Sequence, residues 1–160
     1  MPMKGAPEVI TQLNTVLKGE VTAVNQYFLH ASMCKNWGYL RLYKKIYEES
    51  LEEMRHAQRL IDRILFLEGL PALHQPLAVH VGHDLKDLLE RDLQLEASTL
   101  PPLKQGVALC LEQGDAGTRE LLEHLIVEGE EHLEWLETQL HLITAVGLEN
   151  YAAQQMQPVS

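Results

Sequence analysis

The chain is poor in cysteine, in long apolar segments and in basic residues, and each shortage argues against a class of protein. Its two cysteines, Cys34 and Cys110, are too few for a disulfide framework and are typical of a reduced, cytoplasmic protein. No apolar run approaches the roughly 20 residues of a transmembrane helix, and the start MPMKGAPEVI lacks the apolar segment of a secretory signal. With 13 basic and 23 acidic residues the net charge is −10, which argues against binding to nucleic acid or to anionic membranes.

What the sequence does have is helical periodicity, with 46% hydrophobic residues and no sustained alternation of the kind that marks strands. The predicted helices cover about residues 6–36, 40–68, 84–112 and 118–147, and a short fifth helix begins at Leu148. Residues 69–82 have no period and are too many for a tight hairpin, so they predict a crossover along a bundle. We therefore expect residues 1–160 to form one all-α domain, a four-helix bundle with one long crossover and a short C-terminal fifth helix.

Two local features refine the predicted helices. Pro101 and Pro102 fall inside the third helix, where each lacks a donor and crowds the carbonyl four residues back, so we expect a kink or break there. Such a kink would lie one turn beyond Glu96 and could move that side chain. Thr118 follows a glycine-rich turn at residues 114–117 and is predicted to cap the fourth helix.

Polar side chains interrupt each of the four apolar stripes at about mid-helix. The interruptions are Glu20 on the first helix, Glu53 and His56 on the second, Glu96 on the third and His132 on the fourth. Burial of an unpaired carboxylate is strongly unfavourable, so such residues inside a bundle indicate pairing or metal binding. One Glu from each of two helices and a Glu-x-x-His from each of the other two form the di-iron carboxylate arrangement. Carboxylates that bridge two ions favour a pair of Fe or Mn ions.

The fourth helix lacks one member of that arrangement, because Gly129 stands three residues before His132 where an acid is expected. Glu128 lies one turn from His132 and is a candidate substitute. Tyr27 is placed to hydrogen-bond a ligand carboxylate, and an ordinary core tyrosine explains it as well. Chance alone predicts about one Glu-x-x-His in a chain of this composition. The alternative is therefore that these are surface residues assigned to the wrong face of their helices. Interruptions on four separate stripes favour the metal site.

Several sequence blocks closely resemble those of bacterioferritins, and the resemblance runs nearly from end to end. They are MKG at 3–5, NQYFLHA at 25–31, KNWG at 35–38, EMRHA at 53–57, RILFLEGLP at 63–71, EH at 131–132, WLE at 135–137 and GLENY at 147–151. The resemblance implies a hollow cage of twenty-four subunits that stores hydrated ferric mineral. It also implies an intrasubunit ferroxidase centre, and haem b held between two subunits by one Met from each, which matches Met54 here.

The resemblance also implies a role for each candidate ligand. The matching positions are Glu20, Glu53, His56, Glu96 and His132, with Glu53 and Glu96 bridging the irons, Glu20 and His56 holding one of them, and His132 the other. Gly129 departs from the family pattern, which has Glu at this place, so we expect one iron subsite to be weakened. Glu48 and Glu52 lie near Glu53 and could pass iron inward, although a solvated acidic face explains them as well.

Two functions of different classes follow. In the first, the chain binds Fe(II), oxidises it with dioxygen or peroxide and stores the mineral, as homopolymer. In the second, it is a haem-bearing storage subunit of a mixed cage, in which a related subunit carries the complete ferroxidase site. The absence of an acid at Gly129 together with the presence of Met54 favours the second, and the other five ligands favour the first. In both, the resemblance implies a small ferredoxin-like electron donor for iron release. A small di-iron peroxidase is less favoured, because the chain lacks the additional cysteines that would bind an iron-sulfur or rubredoxin-like centre.

Overall fold

The computed structural model describes residues 5–75 and 77–158, and these contain five helices and no β-strand. The helices are α1 (Pro7–Asn36), α2 (Leu40–Phe66), α3 (Leu85–Gln113), α4 (Ala116–Val146) and α5 (Leu148–Gln155). This confirms the predicted all-α bundle of four helices with a short fifth helix. Met3 and Lys4, where the family resemblance begins, and Pro76 in the crossover lie outside the described residues. Within the described ranges no helix is long and apolar enough to cross a membrane.

The bundle is assembled from two closely packed helix pairs, α1 with α2 and α3 with α4, and α1 also packs against α3. α2 and α4 approach each other less closely, so a looser seam runs between them. The crossover between α2 and α3 is fastened to α1 by side chains. Gly82 N donates to His30 Nε2 at 3.0 Å, His80 N to Gln26 Oε1 at 3.1 Å, and Ala72 N to Asn14 Oδ1 at 2.7 Å. These bonds satisfy crossover amides that have no helical partner.

Two apolar clusters fill the bundle, one on each side of its middle. One cluster includes Leu13, Leu17, Ala57, Leu60, Ile64, Leu100, Leu103, Leu122 and Leu125. The other includes Ala23, Tyr27, Ile46, Leu88, Leu89 and Leu136. On every long helix the polar residues predicted to interrupt the stripes fall between the two clusters. The sequence therefore builds a polar layer across the middle of an otherwise apolar core.

The expectation of a kink or break at Pro101 and Pro102 is wrong as regards a break, because α3 runs continuously from Leu85 to Gln113. The carbonyls that lose their donors belong to Ala97 and Ser98, and both of these residues are exposed, so water can satisfy them. Packing also holds the helix together, since Leu100 and Leu103 on its inner face are buried in the core. In addition, Gln12 Nε2 on α1 donates to the Pro102 carbonyl at 2.8 Å.

The predicted cap of α4 is also wrong, because the helix begins at Ala116 and its N-cap is Asp115. Asp115 Oδ1 accepts from Thr118 N at 3.1 Å, and its Oδ2 accepts from the Thr118 hydroxyl at 2.7 Å. Arg63 on α2 then donates to Asp115 Oδ1 at 3.0 Å and to Thr118 Oγ1 at 2.9 Å. Thr118 thus sits inside the first turn and helps tie that turn to α2.

The end of α2 lies two residues before the predicted one, at Phe66. Glu68 takes a left-handed conformation with φ of 64°, and Gly69 N donates to Ile64 O at 2.8 Å, which closes the last turn. Glycine is required at the next position by packing, since a Cβ on Gly69 would lie only 2.7 Å from Ile10 Cγ2. The chain therefore leaves the helix in close contact with α1.

Candidate metal centre

The polar layer contains all five residues singled out by their spacing, and each comes from the helix on which it was predicted. Glu20, Glu53, His56, Glu96 and His132 are at most 5% exposed. Because a helix presents one face to the core, residues that replace an apolar side chain on that face must point inward. Glu53 and His56 are one turn apart on α2 and therefore point into the same layer.

One half of the layer is formed by Glu20, Glu53 and His56, which offer ligand atoms within 4.8 Å of one another. His56 Nδ1 lies 3.2 Å from Glu53 Oε2 and 3.5 Å from Glu20 Oε2. The δ-nitrogen of the imidazole therefore faces both carboxylates. One cation between these three side chains would replace the hydrogen bonds that now join them.

The other half of the layer is formed by Glu53, Glu96 and His132, again with ligand atoms within 4.8 Å. His132 Nδ1 lies 3.0 Å from Glu96 Oε2, and the Tyr27 hydroxyl donates to the same oxygen at 2.5 Å. Burial first, and then the charge of Glu96, raise the pKa of Tyr27 well above its usual value, so the phenol keeps its proton and donates it. The tyrosine thus orients Glu96, as its place on α1 predicted. Glu53 belongs to both halves.

Burial and close contact set the charge of the cluster. Burial and the neighbouring Glu20 carboxylate raise the pKa of Glu53 well above its usual value. Burial alone would also raise the pKa of Glu20, but hydrogen bonds with Glu53 and His56 outweigh it and the pKa is lowered. Burial opposes charge on His56, yet its bonds to Glu20 and Glu53 raise its pKa to about 11. Glu96 raises the pKa of His132 against burial in the same way. Burial and these contacts therefore favour the protonated forms of Glu53 and His56, and metal binding would compete with those protons.

Gly129 is buried on α4 beside the Glu96 carboxylate. A Cβ at this position would lie 3.3 Å from Glu96 Oε1 and 3.3 Å from Leu100 Cδ2. A longer acidic side chain here would therefore enter the half of the layer that holds Glu96 and His132. This is the half from which the sequence lacks a carboxylate.

Glu128, the candidate substitute, lies on a different side of the centre. One of its oxygens contacts His56 Nε2, and the other lies 2.5 Å from Nε2 of His124. Together with Glu52 and His56 it offers ligand atoms within 4.8 Å, whereas the described groups that contain His132 do not include it. Glu128 therefore holds the outer nitrogen of His56, which leaves Nδ1 facing Glu20 and Glu53.

The centre opens toward the seam between α2 and α4. A pocket of about 470 Å³ lies there, lined by Lys45, Glu48, Glu49, Glu52, Arg55, Glu128, Glu131 and His132. His132 connects the pocket with the buried layer, since its ring belongs to both. The acidic lining gives cations a path of favourable charge from the surface to the layer.

Two acidic side chains near the centre were not predicted from the sequence. Asp92 is 1% exposed, and its Oδ1 lies 2.7 Å from His30 Nδ1 and accepts from Gln26 Nε2 at 2.9 Å. Glu49 Oε2 lies 3.7 Å from His132 Nδ1. Asp92 precedes Glu96 by four residues and Glu49 precedes Glu53 by four, so the same helical spacing would have placed both on the core face.

Met54, the predicted haem ligand, lies on the surface. Its side chain is 54% exposed although the adjacent Glu53 is buried, because successive helical residues are turned by about 100°. Phe28, Tyr47 and Leu51 are exposed as well, and the rings of Phe28 and Tyr47 lie 6.2 Å apart. A thioether together with exposed aromatic and aliphatic groups is chemistry that suits the iron and the flat apolar face of a haem.

Comparison with known proteins agrees with this architecture. A four-helix bundle with carboxylates and imidazoles on facing helices is typical of the di-metal carboxylate class. The ferritin-like domain family matches residues 10–146. A bacterioferritin of Mycolicibacterium paratuberculosis is 43% identical over 152 residues, which cover 95% of this chain and 96% of the relative. A bacterial ferritin of Pseudomonas aeruginosa is 44% identical over 155 residues, 96% of this chain and 100% of the relative.

A third relative, a bacterioferritin of Brucella melitensis, is 44% identical over 149 residues, which cover 93% of this chain and 92% of the relative. The matches extend over nearly the whole of both partners. The chain therefore belongs to the bacterioferritins, within the ferritin-like family, as the sequence blocks predicted.

Proposed function

We propose that this protein takes up Fe(II), oxidises it at the buried polar layer and stores the ferric product. The observation that carries the proposal is that Glu53 belongs to two buried ligand groups at once, one with Glu20 and His56 and one with Glu96 and His132. A carboxylate shared in this way can bridge two ions. Three carboxylates and two imidazoles suit iron, and the family supports iron storage.

The protein groups would act by binding and by moving protons. Two Fe(II) ions, as substrate, would supply the electrons that reduce dioxygen or peroxide. Glu53 and His56 would release their protons when the cations bind, because both are shifted toward their protonated forms in the metal-free site. Tyr27 and Glu128 would keep Glu96 and His56 in place through the hydrogen bonds described above. The acidic pocket at the α2–α4 seam would supply the cations.

The remaining parts of the proposal concern assembly and release. We propose that residues 1–160 form one domain, that twenty-four such subunits form a cage in the cytoplasm, and that Met54 binds haem b between two subunits. A small ferredoxin-like protein would deliver electrons for iron release through the haem. Neither nucleic acid nor a membrane is proposed as a partner. The exposed apolar group around Met54 supports an interface at this place.

A second candidate is a storage subunit of a mixed cage whose ferroxidase step is carried by a related subunit. The lack of a carboxylate at Gly129 favours this candidate. The half of the layer with Glu96 and His132 has one carboxylate fewer than the di-iron carboxylate arrangement supplies. Mass spectrometry of the cage isolated from its native source would test this candidate. A second, related subunit in the cage would support it, and a cage of this chain alone would contradict it.

Aerobic Fe(II) oxidation in a stopped-flow spectrophotometer tests the main proposal. Wild type is compared with Gly129→Glu, and with Glu53→Ala as the variant without the shared carboxylate. We expect a rapid phase in wild type that saturates at two Fe(II) per subunit and is lost in Glu53→Ala. A rapid phase in Gly129→Glu alone would instead support the mixed cage, and none in either would refute a ferroxidase centre in this layer.

A further inference from the structure

We propose that Glu49 supplies the carboxylate that Gly129 does not, and binds the cation held by His132. The inference rests on the proposed function, because it assigns a further ligand to the same centre. It predicts a ligand set in which α2 contributes Glu49, Glu53 and His56, while α4 contributes His132 alone.

The position of Glu49 on α2 brings it to the centre. It precedes Glu53 by four residues, and side chains at this spacing lie one turn apart on the same helix face. Its side chain is only 14% exposed, and its Oε2 lies 3.7 Å from His132 Nδ1. Among the residues that the structure describes, Glu49 and Glu96 are the two carboxylates within 4.0 Å of that nitrogen.

The distances fit a shared cation after a small movement. Metal ions such as zinc bind nitrogen and oxygen at about 2.0–2.2 Å, so two ligand atoms on one ion lie roughly 3 Å apart. The His132 Nδ1 to Glu96 Oε2 distance of 3.0 Å already meets this condition. The Glu49 oxygen at 3.7 Å needs to move by less than about 1 Å, within the range of a side-chain torsion.

The other oxygen of Glu49 is held in a way that supports this orientation. Lys45 Nζ lies 2.9 Å from Glu49 Oε1 and 5.3 Å from the ring centre of Trp135 on α4. The ring of Trp135 in turn stacks on His132, with the centres 6.1 Å apart. Lys45 therefore fixes one carboxylate oxygen against α4 and leaves Oε2 directed at His132.

Neighbouring acids are less suited to the role. Both oxygens of Glu128 are engaged by His56 and His124. Glu131 lines the same pocket but is exposed, as is Glu48. Because Glu48 is adjacent to Glu49 on α2 and shares the pocket, it offers a matched control for the loss of one negative charge.

Titration of the metal-free protein with Co(II), followed by visible absorption and calorimetry, tests the proposal. We expect wild type to bind two Co(II) per subunit, and Glu49→Gln to bind the second about 10- to 100-fold more weakly. Glu48→Gln removes one negative charge from the same pocket without removing a proposed ligand, so it should weaken the second ion far less than Glu49→Gln does. Glu49→Asp keeps the charge but shortens the side chain, so it should also lose second-site affinity. Adding Gly129→Glu to Glu49→Gln should restore it, because the new side chain enters beside Glu96.

The outcomes separate this inference from the proposed function. Unchanged second-site affinity in Glu49→Gln would overturn the inference, and so would wild-type affinity in Glu49→Asp, since charge alone would then explain the effect. Wild type that binds one Co(II), and gains the second only with Gly129→Glu, would also overturn it while leaving a metal centre in place. If wild type binds no Co(II), the centre itself is refuted. Retention of the first ion, at Glu20, Glu53 and His56, shows that each variant is folded.

Discussion

Three mid-helix glycines, Gly19, Gly106 and Gly129, allow the cost of Gly129 to be measured against matched controls. Replacing a mid-helix glycine by alanine gains about 1 kcal/mol of helix stability when the new methyl group is accommodated. The gain is the same at each place, but the clearance is not. A Cβ would lie 3.6 Å from Thr99 Cγ2 at Gly19, 3.3 Å from its two nearest atoms at Gly129, and 2.7 Å from Leu122 Cδ1 at Gly106.

We therefore expect a graded series in the free energy of unfolding. Gly19→Ala makes an ordinary contact and should stabilise the protein by about 1 kcal/mol. At Gly129 the neighbouring atoms must shift by a few tenths of an ångström, which offsets part of the gain. Gly129→Ala should therefore stabilise the protein by about 0.5 kcal/mol. At Gly106 the methyl group meets the buried Leu122, and overpacking of about 1–3 kcal/mol should make Gly106→Ala destabilising by about 1 kcal/mol.

Guanidinium unfolding of the metal-free variants, followed by circular dichroism and compared in the same oligomeric state, measures the series. A Gly129→Ala protein as unstable as Gly106→Ala would refute the reasoning, because packing would then require glycine at position 129. If Gly19→Ala does not raise the free energy of unfolding, the expected gain from replacing a helical glycine by alanine is wrong. Gly129→Ala should also bind two Co(II) ions as wild type does, since a methyl group adds no donor.

Three further outcomes follow from single contacts. Asp115→Ala should lower the free energy of unfolding by about 1 kcal/mol at pH 7 through loss of the α4 cap. Burial acts to raise the pKa of Asp115, but the hydrogen bonds from Thr118 and Arg63 lower it overall. The stabilisation is therefore present above about pH 4 and is lost as the pH falls through the lowered pKa of Asp115. Denaturant unfolding of variant and wild type should therefore converge in acid; a constant gap would contradict this. Tyr27→Phe should weaken the second Co(II) about 10-fold and spare the first, as titration would show, and equal weakening of both would refute its role toward Glu96. Met54→Leu should abolish haem uptake, followed by Soret absorption, without changing Co(II) binding; retained haem would exclude the thioether as ligand.

The part of the centre that could be predicted from sequence is the part set by helical periodicity. Glu20, Glu96 and His132 each replace an apolar residue within a stripe that faces the core. The inward direction of their side chains therefore follows from spacing alone. Mid-helix position then places them at one level. The same reasoning gives the four helices and the long crossover, because their bounds are marked by glycine, proline and loss of period.

What the sequence could not provide depends on contacts between elements. Whether Pro101 breaks α3 depends on whether the freed carbonyls face water, which is a property of the assembled bundle. Asp115 and Thr118 are both good caps, and the choice between them follows from Arg63 reaching across from α2. Glu128 and Glu49 each lie near the core face by spacing, and only the packing of α2 against α4 decides that Glu128 meets His56 while Glu49 meets His132.

The glycine at position 129 lowers the number of carboxylates buried in the polar layer, and this affects the metal-free protein as well as the metal-bound one. Burial and the neighbouring Glu20 carboxylate already raise the pKa of Glu53 well above its usual value. A further acid beside Glu96 would add to that repulsion until cations neutralise it. Glu49 can approach His132 from the pocket and, through Lys45, stays paired when no cation is present. A carboxylate that is held at the edge of the layer and moves inward with the metal would give the second cation a ligand without a fourth acid buried in the empty site.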